Sequence, residues 1–563
     1  MRQAAYTLLL AAACGCCGGG GRRSAPPAAE QPAEWFVDRA ADTGLTFTHV
    51  NGMSGRLYMP EILAPGVALF DMDGDGDLDI YVPQGYTLGG PSTTSQGRLY
   101  RNELAGSGTL HFTDVTDKSG LVATGYGMGV ATGDFDNDGF VDLYLTNFGS
   151  NQLFHNNGDG TFTDITKSSG TAMSGWSVAA TFFDYDRDGW LDLYVGSYLQ
   201  YRLETTTTCF SPSGALDYCT PNTYKPLPGR LFHNNHDGTF ADVTAKSRIA
   251  TEFGPALGVT AADFNTDGWI DLYVANDSQP NQLWINQHDG TFRNTALAAG
   301  VALTAEGKAE ASMGVDAGDF DNDGDDDIIV TEQTGEGHNL YANDGHGSFE
   351  DQSARSGLAA ASLGYTGFGA AWFDYDNDGW LDLMTANGAV QTIQALAQAH
   401  DPFPLHQRKQ LFHNLANGRF EDVTARAGKV FELSEVGRGA AFGDIDNDGD
   451  TDVVVANNNA PMRLLINNVG NRNHWVGLRP VQGRGGRDMI GATVEIIRNN
   501  KPALWRRVRT DGSYGSANDP RVLAGLGDST QRPSVRVHWA DGSVSEPIDV
   551  LIDRYNTIEA RPR

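Results

Sequence analysis

Seven times along the chain, acidic residues fall at alternate positions of a nine-residue loop whose sixth residue is glycine. The loops are Asp71, Asp73, Asp75 and Asp79; Asp134, Asp136, Asp138 and Asp142; Asp184, Asp186, Asp188 and Asp192; Asp263, Asn265, Asp267 and Asp271; Asp319, Asp321, Asp323 and Asp327; Asp374, Asp376, Asp378 and Asp382; and Asp444, Asp446, Asp448 and Asp452. Positions 1, 3, 5 and 9 are thus carboxylates throughout, apart from the amide of Asn265. Position 6 is Gly76, Gly139, Gly189, Gly268, Gly324, Gly379 or Gly449. Four hard oxygens gathered around a glycine turn form a donor set that wraps calcium, and the carbonyl of position 7 supplies a fifth ligand. Without a cation, carboxylates packed so closely repel one another. The pattern points to as many as seven calcium ions rather than to acidic turns that serve structure alone.

The elements that must position these loops are strands. An EF-hand would carry glutamate at position 12; that place holds Val82, Leu145, Val195, Val274, Val330, Thr385 or Val455. Short alternating runs such as Gly129-Val-Ala-Thr-Gly133 precede each loop, and β-rich runs such as Leu143-Tyr-Leu-Thr146 follow it. Each loop therefore joins two antiparallel strands. A Leu-x-x-Asn strand comes next, at Leu99–Asn102, Leu153–Asn156, Leu231–Asn234, Leu283–Asn286, Leu340–Asn343, Leu411–Asn414 and Leu464–Asn467. After a turn, usually rich in Asn, Asp and Gly, a Phe-led strand completes the unit, at Phe112, Phe162, Phe240, Phe292, Phe349 and Phe420. Its seventh copy lies at the other end of the chain, at Phe36-Val37-Asp38. Four strands per unit, a period of ~62 residues and a last unit completed by the N-terminus predict an all-β, seven-bladed β-propeller. Its two ends share a sheet and leave no free edge. Phe70, Phe135, Tyr185, Phe264, Phe320 and Tyr375, which flank the loops, are expected to pack between blades.

These repeats resemble FG-GAP/VCBS repeats, the calcium-loop propeller repeats of the integrin α subunit, over residues 35–470. The resemblance implies bound calcium and an extracellular interaction role. Residues 471–563 change character, with 15 basic and 10 acidic side chains, a net +5 that leaves −36 on residues 1–470. Strand-like runs at His474–Leu478, Ala492–Ile497, Leu504–Arg509 and Val535–Trp539 predict a small all-β domain. Asn473-His-Trp475, Ile490-Gly-Ala492, Gly512-Ser-Tyr514, Gly525-Leu-Gly527 and Trp539-Ala-Asp-Gly542 resemble the ASPIC/UnbV domain that follows such repeats in cartilage-acidic-protein-like proteins. The family pattern usually has proline after the tryptophan, where this chain has Ala540. The basic balance has two readings: a solvated surface that also docks on the acidic propeller, or a patch of Arg506, Arg507, Arg509 and Arg536 for an acidic polysaccharide.

A net charge of −31 argues against nucleic acid or an anionic membrane surface as a partner of the whole chain. Arg2 and the apolar run Ala4–Ala13 read as an export signal, residues 1–13, too short to span a bilayer. Leu10-Ala-Ala-Ala-Cys14 resembles a bacterial lipobox, with Cys14 as the lipidated residue and residues 14–34 as a flexible tether. Ordinary signal cleavage is the alternative. The protein is thus expected outside the cytosol, on a bacterial surface or secreted, where Cys209 and Cys219 form a disulfide.

No HExxH, GxSxG, P-loop or dinucleotide fingerprint stands in a suitable setting. His155, His233 and His413 recur in Leu-Phe-His-Asn, but Arg101, Ile285, Ala342 and Ile466 hold the same place elsewhere, so they read as strand surface. The long insertions Pro83–Gly97, Gly196–Gly229 and Gly388–Gln410 all fall on the face opposite the aspartate loops. The second carries Tyr198, Tyr201, Arg202, Tyr218 and Tyr224, residue types common in binding surfaces. The sequence therefore predicts a calcium-binding interaction or adhesion module that engages a protein or glycan on that face. The alternative is a polysaccharide-active enzyme working in the propeller channel, on fold analogy alone.

Overall fold

Every aspartate loop reverses the chain into an antiparallel pair, in one register seven times over. The residue before position 1 faces position 9, as in Phe70 with Asp79, Gly133 with Asp142 and Gly443 with Asp452. The turn needs two left-handed backbone positions. Position 6 has φ from 83° to 105°, which glycine adopts without strain, and position 4, from Thr266 at 53° to Gly74 at 77°, is left-handed as well. Position 4 is asparagine in four loops, a residue tolerant of this conformation.

The protein is described by a computed structural model that covers residues 34–90, 96–211, 213–483 and 486–560. Cys14 and the proposed leader lie outside these residues. The described repeats form seven four-stranded units, and those of the second and third are joined edge to edge through Ser174–Trp176 and Phe148–Ser150. The last unit consists of Gly437–Gly443, Asp452–Asn457, Arg463–Asn467 and, from the other end of the chain, Phe36–Asp38. Phe36 faces Asn467 across this closing pair. Each innermost strand touches the innermost strand of the next unit, and the seventh touches the first. The ring is closed.

Blades are bound to one another by aromatics. The position-2 ring of one loop meets the leading Phe of the next blade's outer strand: Phe135 with Phe240 at 5.4 Å, Tyr185 with Phe292 at 5.8 Å, Phe264 with Phe349 at 6.0 Å, and Tyr375 with Phe36 at 6.3 Å. All are buried except Phe349, which is partly so, and such pairs add about 1 kcal/mol beyond their buried area.

The C-terminal residues form two small sheets over one apolar core of Val476, Val494, Ile496, Val535 and Val537. From their edge a loop, residues 509–519, enters the centre of the ring. It bonds or stacks on the inner strands of six blades. Ala517 O accepts from Leu69 N, Gly515 O from Val130 N and Ser513 O from Val315 N. Asp511 accepts from the Thr260 hydroxyl, Ser513 donates to Ala440 O, and the Tyr514 ring lies edge-on to Phe368 at 4.7 Å. Small residues allow this approach; a Cβ at Gly66 would collide with the carbonyl of Gly515. The channel that the enzyme alternative requires is thus filled by the chain itself.

The same docking settles the two readings of the basic C-terminal balance. Arg509 pairs with the fully buried Asp316 at 2.6 Å, Arg507 with Asp326 at 3.2 Å, and Arg506 is buried against Gly379. Arg536 pairs with Glu495 within its own sheet. Three of these four arginines are therefore spent on the acidic propeller, which bears out the docking reading over the polysaccharide patch.

Candidate metal centres

The aspartates converge because backbone N–H groups hold each carboxylate. In the second loop Asp134 Oδ1 accepts from Asp138 N at 3.1 Å and its Oδ2 from Gly139 N at 2.9 Å. Asp142 Oδ2 accepts from Phe135 N at 3.1 Å and Oδ1 from Asn156 N at 2.8 Å. Position 3 is different. Oδ1 of Asp73, Asp136, Asp186, Asp321 and Asp376 is buried with no donor at all; at position 1 the same holds for Oδ2 of the buried Asp319. A buried carboxylate oxygen without a donor is costly unless a cation completes it. These sets therefore fit a hard, calcium-sized ion, with positions 1, 3, 5 and 9 as its holders. In the fourth loop the Asn265 amide instead donates to Asp267 at 2.9 Å.

Burial pushes the carboxyls up. Asp134 and Asp184 are raised to about 7 and Asp142 to about 8, neighbouring carboxylates adding to the effect of burial. The Leu-Phe-His-Asn histidines, expected to be plain strand surface, face the loops instead. Nδ1 of His155 lies 3.1 Å from Asp136 and 3.3 Å from Asp142, that of His233 3.2 Å from Asp192, and that of His413 3.1 Å from Asp382. The close carboxylates of Asp136 and Asp142 lift His155 to about 10. The reason is geometric: the third strand runs beside position 9, so its outward residue overhangs the loop. Two further histidines cap position 5. His236 reaches Asp188 at 2.5 Å and His288 reaches Asp267 at 2.9 Å, each stacked on the tryptophan of position 7.

The asparagine of each Leu-x-x-Asn strand has a role that its spacing did not disclose. Its N–H donates to the position-9 aspartate in all seven blades, at 2.7 to 2.8 Å. Its amide donates to the position-2 carbonyl of the preceding blade: Asn156 to Met72, Asn234 to Phe135, Asn467 to Tyr375 and, closing the circle, Asn102 to Ile445. One residue thus orders a carboxylate and joins two blades.

The C-terminal domain lies on the loop face. Tyr555 Oη donates to Asp444 at 2.9 Å, Gly525 N to Asp374 at 3.2 Å, and Arg487 to the carbonyl of Gly189 at 2.8 Å. On the opposite face Cys209 and Cys219 are joined by a disulfide. The insertion tyrosines do not form the expected binding surface. Tyr198, Tyr201 and Tyr218 are buried in an apolar cap with Trp176, Met59 and Leu63, while Arg202 remains exposed and Tyr224 is half-buried. Asp217 ties this insertion to Thr392 of the third at 2.9 Å. What the hairpin does expose are its cross-strand pair, Phe210 and Leu216.

Comparison with known proteins follows the same division. FG-GAP-like repeats match at residues 71–145, 134–195, 214–274, 263–330, 319–385 and 406–455, together more than half of the chain, and ASPIC and UnbV at 482–562. Cartilage acidic protein 1 of Mus musculus is 25% identical over 501 residues, 86% of this chain and 72% of that protein. The Homo sapiens protein is 26% identical over 309 residues, 54% of this chain and 43% of its own length. Among solved structures, the BP39L lectin of Burkholderia pseudomallei aligns with a TM-score of 0.40 at 10% identity, over 72% of this chain and 96% of the lectin. YCF48 bound to D1 peptide aligns at 0.39 and 7% identity, over 72% and 93%. Likeness this slight carries no ligand across to this chain. The chain belongs to the FG-GAP-like repeat family and ends in an ASPIC and UnbV domain.

Proposed function

We propose that this protein is an exported, calcium-stabilised propeller that serves as an interaction or adhesion module for a protein or glycan. The donorless position-3 oxygens carry the calcium reading, because five separate loops present the same buried, unpaired carboxylate oxygen. Seven ions would offset 14 charges and leave the chain near −17 from −31. An oxidising compartment accords with the single disulfide among the described residues. No described helix is long and apolar enough to cross a membrane; the lipobox-like Cys14 is the proposed membrane link.

The partner is assigned to the face opposite the loops, since the C-terminal domain occupies the loop face. There the exposed pair Phe210 and Leu216 offers an apolar anchor on a disulfide-braced hairpin, the kind of rigid contact that dominates binding energy. The test is a chain with Phe210→Ser and Leu216→Ser, compared with wild type for capture of envelope proteins and on a glycan array. Both substitutions are on the surface, so stability should change by less than about 0.5 kcal/mol. Retention of every captured protein and glycan would refute this placement.

A further inference from the structure

A second gathering of buried acids lies on the face opposite the loops, between the fourth and fifth blades. It begins with Glu332, five residues beyond the position-9 aspartate. The same place in the other blades holds Gln84, Asn147, Ser197, Asn276, Asn387 and Asn457, all neutral. Glu332 is completely buried. Its Oε1 accepts from the Ser312 hydroxyl at 3.0 Å and from Asn339 Nδ2 at 3.2 Å, while Oε2 is buried with no donor. The same Asn339 amide donates to Glu310 at 3.0 Å. Glu310 and Glu336 expose only 9% and 8% of their side chains. Glu336 Oε2 accepts from Ala311 N at 3.0 Å, and a single ammonium serves both: Lys308 Nζ lies 2.8 Å from Glu336 and 3.8 Å from Glu310. The nearby Asp277 is already satisfied, by Tyr198 at 2.6 Å and Ser278 at 3.1 Å.

Three carboxylates in a nearly dry setting share one cation, and that cation sits on a side chain 57% exposed. Burial, then the charges of Glu310 and Glu336, pushes Glu332 far above the usual carboxylate range. We propose that Glu310, Glu332 and Glu336, two of them oriented by the Asn339 amide N–H, form an additional calcium site, separate from the aspartate loops, in which the ion displaces the Lys308 ammonium. The donors are all oxygen and flexible in reach, which suits calcium better than magnesium or zinc. Lysine can leave cheaply, because its stem already reaches water. The site joins the connection after the fourth blade, which carries Glu310, to the loop of the fifth that carries Glu332 and Glu336. An ion there clamps two blades on the face where no aspartate loop reaches.

The experiment counts calcium bound by the full chain, by equilibrium dialysis and elemental analysis. Glu332→Gln with Glu336→Gln should bind one ion fewer than wild type. Asp136→Asn with Asp142→Asn should lose a different ion, so the combined variant loses two. Loss of one ion in the glutamate variant holds even if the aspartate loops bind none, which separates this proposal from the calcium reading of the loops. Lys308→Met keeps the ion, binds it more tightly and melts no lower than wild type in calcium. An unchanged ion count in a folded glutamate variant would overturn the proposal. So would a Lys308→Met chain that melts lower in calcium as well as without it, the mark of a lysine-bridged network. If the glutamate variant does not fold, the Lys308→Met comparison decides alone.

Discussion

At the scale of single residues, the loops balance charge against burial. Metal-free Asp134, Asp142 and Asp184 stand at about 7, 8 and 7, against about 3.9 when unfolded. Between about pH 4 and 8 the native state then holds protons that the unfolded chain has released, so its stability falls as pH rises. Calcium requires ionised ligands and reverses the sign. Denaturant melts should show the metal-free protein more stable at pH 5 than at pH 8, and the calcium-loaded protein the opposite; the same slope in both would contradict this. Asn156→Ala removes the donor to the buried carbonyls of Met72 and Val141, and should cost about 3 kcal/mol in a denaturant melt. The aspartates were legible because alternation with glycine at position 6 is a local pattern. The histidines and asparagines were not, because their partners lie on another strand or another blade.

At the scale of elements, closure depends on three residues from the far end of the chain. Phe36 is fully buried, against Tyr375 at 6.3 Å and Phe431 at 5.7 Å. A chain that begins at Gly44 leaves Arg463–Asn467 as an open edge, a template for aggregation. It should lose its cooperative melt and associate in light scattering, and a peptide of residues 34–43 added in trans should restore the melt and abolish the association. A monomeric, cooperatively melting truncation would contradict ring closure through this strand. The closing strand was readable by counting, since six Phe-led strands follow seven loops. The one-turn helices after the outer strands, such as Thr116–Ser119 and Ala296–Ala299, were not, because four residues show no helical period. The insertion tyrosines misled for another reason: composition cannot tell a binding surface from a cap that packs on itself.

At the scale of the whole molecule, the described residues of the propeller and C-terminal domain form a single compact unit. The acidic ring and the basic domain neutralise each other at Arg509–Asp316 and Arg507–Asp326, while residues 509–519 fill the channel. Charge partition was visible in the sequence; the entry of a loop into the ring was not, since nothing local marks where Tyr514 comes to rest. Tyr514→Ala removes a fully buried ring and its hydrogen bond to Leu63 O at 2.8 Å. It should cost about 4 kcal/mol in a denaturant melt, and a loss under about 1 kcal/mol would mean the plug does not support the ring. The central claim, that the aspartate loops are calcium cages, meets its most direct test in thermal unfolding of the full chain in millimolar calcium and in excess chelator. A ligand that binds only the folded state raises the melting temperature with its concentration, so the chelated protein should melt markedly lower. Superimposable curves would contradict the account.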